Sequence, residues 1–178
     1  KSALALELSK AFDGEIVTAD SRQIYAGMDI GTEKPGRRAS GVGKSDEPIF
    51  VDGTPHYLID ILTPDQQYSA AAFRDDAEQL MAAIRRRGKL PIVVGGTGLY
   101  VRVLTGGRSL PSVPPDPAFR SWAETQPLEA LVRELRESAP RIYARVDNLN
   151  NKRRVVRALE IARTHAQGPR TDAPVPPA

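Results

Sequence analysis

Residues 90–94 read Leu-Pro-Ile-Val-Val and stop at Gly95-Gly96-Thr97. A near-continuous apolar run of this length has no polar side to turn to water. It predicts a strand covered on both faces, as in a parallel sheet between helices. Parallel neighbours need a crossover, and the preceding segment supplies one. From Ser69 to Arg87, Phe73, Ala77, Leu80, Met81 and Ile84 fall at helical spacing, with Ser69 as N-cap and Gly88 just past the end. Glu15–Ala19 is short, β-branched and preceded by Gly14. It predicts a buried strand that delivers Asp20 and Ser21 to its C-terminal end. Residues 56–62 (HYLIDIL) predict another strand, and residues 1–12 a helix closed by Asp13-Gly14. Alternating strand and helix of this kind makes the fold class α/β. Ligands are then expected where strand C-termini meet loops, which is where Asp20 and Thr97 fall.

The character changes at Arg108. A proline-rich connector leads to helices predicted near 117–124, 128–138 and 151–164, the last of them basic. The division expected is a core over 1–107, a helical region over 108–167 and an unpacked proline-rich tail over 168–178. Residues 31–56 hold no steady period, and 36–55, with Arg37, Arg38 and Lys44, read as a disordered surface loop.

Composition excludes several chemistries. The chain has no cysteine and two histidines, His56 and His165, so thiolate sites and a cysteine nucleophile are ruled out and a histidine-rich metal centre is not expected. No apolar stretch approaches the roughly 18 residues of a membrane span, and the location expected is cytoplasmic. The net charge is only +3, but Arg85-Arg86-Arg87 and Lys152-Arg153-Arg154 are locally basic. The first cluster sits at a helix end and reads as a solvated face.

Lys1-Ser2 opening a helix matches the last two positions of G-x-x-x-x-G-K-[ST], a loop whose amides and lysine surround phosphates while its hydroxyl meets magnesium. Gly43-Lys44-Ser45 does not compete, because the position needing the first glycine is Arg38. Plainer roles stand beside these. Asp20 and Thr97 could cap helices, Arg120 and Arg157 could be solvated, His56 and Tyr57 read as packing residues, and Trp122 as a helix-packing anchor.

The segments ADSRQIY (19–25), GMDIGTEKP (27–35), LIDIL, YSAAAFRDDA and PIVVGGTGLY, in this order and approximate spacing, resemble the tRNA dimethylallyltransferases (IPP transferases). LPSVPPDPAFR and NKRRVVRALEI resemble the same family's acceptor-domain entry and arginine-bearing helix. The resemblance implies a P-loop NTPase-like parallel sheet of the nucleotide-binding, ATP-binding kind with flanking helices, plus a small helical tRNA-binding insertion. It also implies transfer of a dimethylallyl group from dimethylallyl diphosphate to the exocyclic amine of the adenosine 3′ of the tRNA anticodon, with Mg2+ and in a monomer. By the same resemblance Lys1 and Ser2 bind diphosphate, with Ser2 on the metal, and Asp20 is the catalytic base. Asp20, Ser21, Arg22, Gln23, Thr97, Arg120, Arg153, Arg154 and Arg157 contact tRNA. The family's loop glycines and preceding strand have no counterpart here, nor does its continuation after RALEI. The chain is therefore expected to be truncated at both ends and not to carry the activity alone. Open alternatives are an adenylate isopentenyltransferase, a small-molecule P-loop kinase and a non-catalytic RNA-binding remnant.

Overall fold

A computed structural model describes residues 1–39, 41–107, 110–111 and 113–166, the side chains of His165 and Ala166 excepted. The tail expected over 168–178 lies outside the described residues. The chain divides into two compact units, the first Lys1–Leu110 and the second beginning at Pro111.

In the first unit the order is α1 (Ser2–Ala11), β1 (Gly14–Thr18), β2 (Ile49–Val51), β3 (Thr54–Tyr57), α2 (Ala70–Arg86), β4 (Leu90–Val94) and α3 (Gly98–Leu104). The four strands form one sheet in the order β2-β3-β1-β4. β1 runs parallel to both β3 and β4, and β2 is antiparallel to β3. Alternation along the strands divides the sheet's faces. Val17 and Tyr57 join Phe73, Ala77, Leu80 and Ile84 of α2 in the main core. On the other face Thr54 meets Ser9 of α1 through their hydroxyls, 3.2 Å apart. Every residue of β1 is buried.

α2 begins and ends where its sequence predicts. Ser69 Oγ accepts from Ala72 N–H at 3.1 Å, and Gly88 takes φ +75° while Lys89 N–H reaches back to Ile84 O. Arg87 is not simply solvated. Its guanidinium meets Glu15, buried at the base of β1, at 2.5 Å, and Glu15 also accepts from Tyr57 OH at 2.7 Å.

Three expectations are corrected. Leu90–Val94 is not covered on both faces. β4 is the outer strand on its side of the described sheet and is only half-buried, with Leu90 largely exposed. The strand predicted over 56–62 stops at Tyr57, because Leu58 and Asp60 adopt positive φ (62° and 54°). Beyond that point Asp60 and Ile61 donate their N–H groups to Gln23 O and Ile24 O, so the segment leaves β1 and pairs with the loop after it. The segment 36–55 is not a disordered loop over its described residues. It contains β2 and the turn into β3, and the Arg38 guanidinium binds the carbonyls of Ile59, Lys44 and Glu47.

The second unit holds α4 (Pro117–Thr125), α5 (Leu128–Ser138), the single turn α6 (Pro140–Tyr143) and α7 (Lys152–Ala166). Asp116 caps α4 by accepting from Phe119 N–H at 2.9 Å, and Pro117 occupies its first turn. Phe119, Leu131, Leu135, Val155 and Leu159 form this unit's own core. Trp122, expected as a helix-packing anchor, stacks on Phe119 of its own helix and stays 44% exposed.

Candidate active site

β1 and β4 end side by side, and the loops that follow them are locked together. Ala19 N–H donates to Val94 O at 2.7 Å, and Thr97 N–H donates to Ala19 O at 3.2 Å. A side chain at Gly95 would place its Cβ 1.9 Å from Ala19 O, so the close approach requires glycine there. Across this junction Thr97 Oγ1 accepts from Ser21 N–H at 2.9 Å and lies 3.1 Å from Ser21 Oγ. Thr97 occupies the N-cap position of α3 but makes no side-chain cap bond, because its hydroxyl is spent on Ser21.

One oxygen of Asp20 is occupied locally, Oδ1 accepting from Arg22 N–H at 2.9 Å. Its Oδ2 lies 3.2 Å from where a Cβ on Gly96 would stand, and Lys1 Nζ lies 3.7 Å from the same point. A carboxylate and an ammonium thus converge on a space kept open by a missing side chain. The pocket there, beneath the N-terminus of α1, is lined by Lys1, Ser2, Asp20, Gln23, His56, Gly95 and Gly96 among others.

Gln23 is buried beside the pocket, its Nε2 donating to Thr32 O and Glu33 O at 2.9 and 3.1 Å. Ser21 and Arg22 are exposed. The wall that Gln23 holds is tied down by a buried ion cluster that sequence reasoning did not anticipate. Lys34 Nζ meets Asp60 at 2.6 Å, Asp29 at 2.7 Å and Tyr25 O at 2.9 Å, with both the Lys34 and Asp60 side chains only 3% exposed. Burial alone would lower the Lys34 pKa. Its bonds to Asp29 and Asp60 outweigh that and hold it above the ordinary lysine value.

His56, read from the sequence as a packing residue, is indeed packed in the sheet, with one polar atom left over. It is buried, its Nε2 has no hydrogen-bond partner among the described residues, and desolvation lowers its pKa. Its sequence context, an apolar-flanked position in a short run, gives only a packing signal.

The arginines of the second unit are mostly engaged. Arg120 makes a forked pair with Glu160, Nε to Oε1 at 2.7 Å and a second nitrogen to Oε2 at 3.0 Å. Arg157 meets the same Oε2 at 3.0 Å and donates to Val113 O at 2.6 Å. Glu160 also accepts from Asp116 N–H at 2.9 Å. Burial pushes the Glu160 pKa up, but these donors outweigh it and hold the carboxyl below the usual range. Arg154 pairs with Asp147, and Arg153 is exposed with no ion pair to another described residue.

Among the described residues no three His, Asp or Glu side chains gather into a metal site, and no helix is long and apolar enough to cross a membrane. The Ser2 hydroxyl at the α1 N-terminus is an oxygen donor of the kind that suits a hard cation such as magnesium. That ion commonly takes one or two protein ligands and completes its shell with water and phosphate.

The family model described as IPP transferase matches residues 23–174. A tRNA dimethylallyltransferase from Thermomicrobium roseum is 46% identical over 165 residues, covering 90% of this chain and 46% of that protein. One from Thermus thermophilus is 43% identical over 168 residues, covering 92% and 51%. The full-length tRNA isopentenylpyrophosphate transferase of Bacillus halodurans superimposes with a TM-score of 0.50 at 37% identity, covering 89% of this chain and 50% of that one. A eukaryotic dimethylallyltransferase, described as acting on tRNA, gives a TM-score of 0.68 at 28% identity, covering 90% and 38%. The chain spans about half the length of the curated relatives it matches. The expected fold class, a P-loop NTPase-like α/β sheet with flanking helices, holds.

Proposed function

This chain belongs to the IPP transferase family, and from that premise we propose that it contributes the catalytic pocket of a tRNA dimethylallyltransferase. The observation that carries the reading is the convergence of Asp20 Oδ2 and Lys1 Nζ on the space left by Gly96. The reaction needs a base for the amine and a cation for the leaving group, close together. The exocyclic nitrogen of the adenosine 3′ of the anticodon forms a bond to the allylic carbon of dimethylallyl diphosphate. The carbon–oxygen bond to diphosphate breaks, and the amine's proton passes to Asp20. That nitrogen is a weak nucleophile because its lone pair is delocalised, so alignment and proton removal both lower the barrier.

Lys1 and the N-terminal amides of α1 hold the diphosphate as negative charge develops on it. Ser2 would hold a magnesium ion, which supplies further charge neutralisation for the leaving group. Ser21, Arg22, Gln23 and Thr97 are assigned to tRNA on the first unit (1–107 in the domain reading). Arg120, Arg153, Arg154 and Arg157 are assigned to it on the helical region 108–167. Monomeric action in the cytoplasm completes the reading.

The test is transfer of labelled dimethylallyl from its diphosphate, with magnesium, by a protein of the relatives' full length carrying this chain. Label should enter unmodified tRNA but not AMP, and Asp20→Asn should lower the rate by about 10²–10⁴-fold with melting unchanged. Label on AMP alone would transfer the reading to an adenylate isopentenyltransferase. Label on neither, from folded protein, sinks it.

A further inference from the structure

The floor of the pocket carries a polar group to which the reading above gives no task. His56 sits in β3 between Ile16 and Ile49 of the neighbouring strands, is 3% exposed, and lines the pocket with Lys1, Ser2 and Asp20. Its Nε2 is buried with no hydrogen-bond partner among the described residues. Folded proteins seldom leave such an atom unpaired, because its lost hydration is not returned. Thr54, two residues earlier on the same face, has its hydroxyl matched to Ser9. The fold therefore satisfies one polar group on this face and leaves the next, in a residue that lines the pocket, without a partner among the described residues.

We propose that His56 is a ligand-binding residue whose ring nitrogen donates a hydrogen bond to a phosphate oxygen of the diphosphate held by Lys1 and Ser2. The proposal rests on the diphosphate reading of those two residues. Asp20 and Glu33 also line the pocket, and carboxylates cannot partner an anion; Gln23 Nε2 and the Thr32 hydroxyl are bonded to backbone carbonyls, so the side-chain donors left to an anion are Lys1, Ser2, Thr18 and His56. Burial pushes the imidazole pKa down, so the ring is neutral near neutral pH and carries one N–H. A neutral donor suits this place. It contacts the phosphate without adding a buried cation that would have to be stabilised when the pocket is empty.

The experiment titrates inorganic pyrophosphate with magnesium into the full chain by calorimetry, comparing wild type, Lys1→Ala, His56→Leu and His56→Gln. His56→Leu should bind about tenfold more weakly while melting at the same or a higher temperature, since the substitution removes an unpaired buried polar atom. His56→Gln, which keeps an N–H donor, should recover most of the affinity. Because the chain has only two histidines, the ring signals of His56 can be followed directly by NMR, and they should shift at pyrophosphate saturation. Pyrophosphate affinity in His56→Leu within about twofold of wild type, or a His56 ring unmoved at saturation, overturns the role of His56 and leaves Lys1 and Ser2 standing. No binding to the folded wild-type chain, or undiminished binding by Lys1→Ala, overturns the diphosphate reading beneath it.

Discussion

The Glu160 cluster of the second unit and the pocket beneath α1 in the first treat their polar groups in opposite ways. Around Glu160 every donor is matched: Arg120, Arg157 and the Asp116 amide close on a carboxylate whose side chain is 1% exposed. In the pocket beneath α1, His56 Nε2 has no partner among the described residues, and Asp20 Oδ2 and Lys1 Nζ face the space beside Gly96. A completed cluster holds its own unit together. An incomplete one leaves bonds for a ligand to make, and the contrast separates structural charge from charge available for binding.

The sharpest way to break that contrast is to remove the acceptor of the completed cluster. Glu160→Ala should cost about 1.5–3 kcal/mol in urea unfolding, because two half-buried arginines and the Asp116 amide lose a charged acceptor. The pH dependence has a definite sign. With the folded pKa of Glu160 lowered, its contribution is present above the unfolded value of about 4.3 and is lost as pH falls through the folded value. Wild type should lose stability over that acid range, and Glu160→Gln should lack that part of the slope. An equal slope in both would show that the cluster contributes nothing.

The pocket should answer differently. Gly96→Ala puts a methyl 3.2 Å from Asp20 Oδ2 and 3.7 Å from Lys1 Nζ, touching no core residue. Prenyl transfer is expected to fall by about 10–100-fold with the melting temperature unchanged. A matching loss of stability would mean that the space serves packing. The smallest effect belongs to Arg153, exposed on α7. Arg153→Ala should weaken tRNA binding a few-fold and reduce the salt slope by about one, leaving unfolding unaltered. The same change at Arg120 should also lower stability, since Arg120 is held by Glu160.

What the sequence made legible follows the range of the forces involved. α2, β1 and β4 were readable because periodicity, capping and apolar runs are local signals. Lys1, Ser2 and Asp20 became candidates through the family resemblance of the segments around them, since a lone Lys-Ser pair is common in any sequence. The end of β3 was not readable, since nothing within HYLIDIL tells that Lys34, 26 positions away, will claim the Asp60 carboxylate. Pairing of Glu160 with Arg120 spans 40 positions and is equally silent. That His56 Nε2 would find no partner among the described residues could not be read at all, because an unmade bond leaves no pattern in composition or spacing.

The crossing of Ala19 over Gly95 has a consequence for how sequences of this kind can change length. Because the backbones touch at one point, the two loops share a single reference position. Residues added beyond Thr97 or beyond Gln23 would extend outward and leave the junction where it is. A single residue added between Thr18 and Asp20, or between Val94 and Thr97, would shift one loop along the other and part the carboxylate from the glycine it faces. Within the two loops, insertions should accordingly be tolerated outside these short windows and not within them.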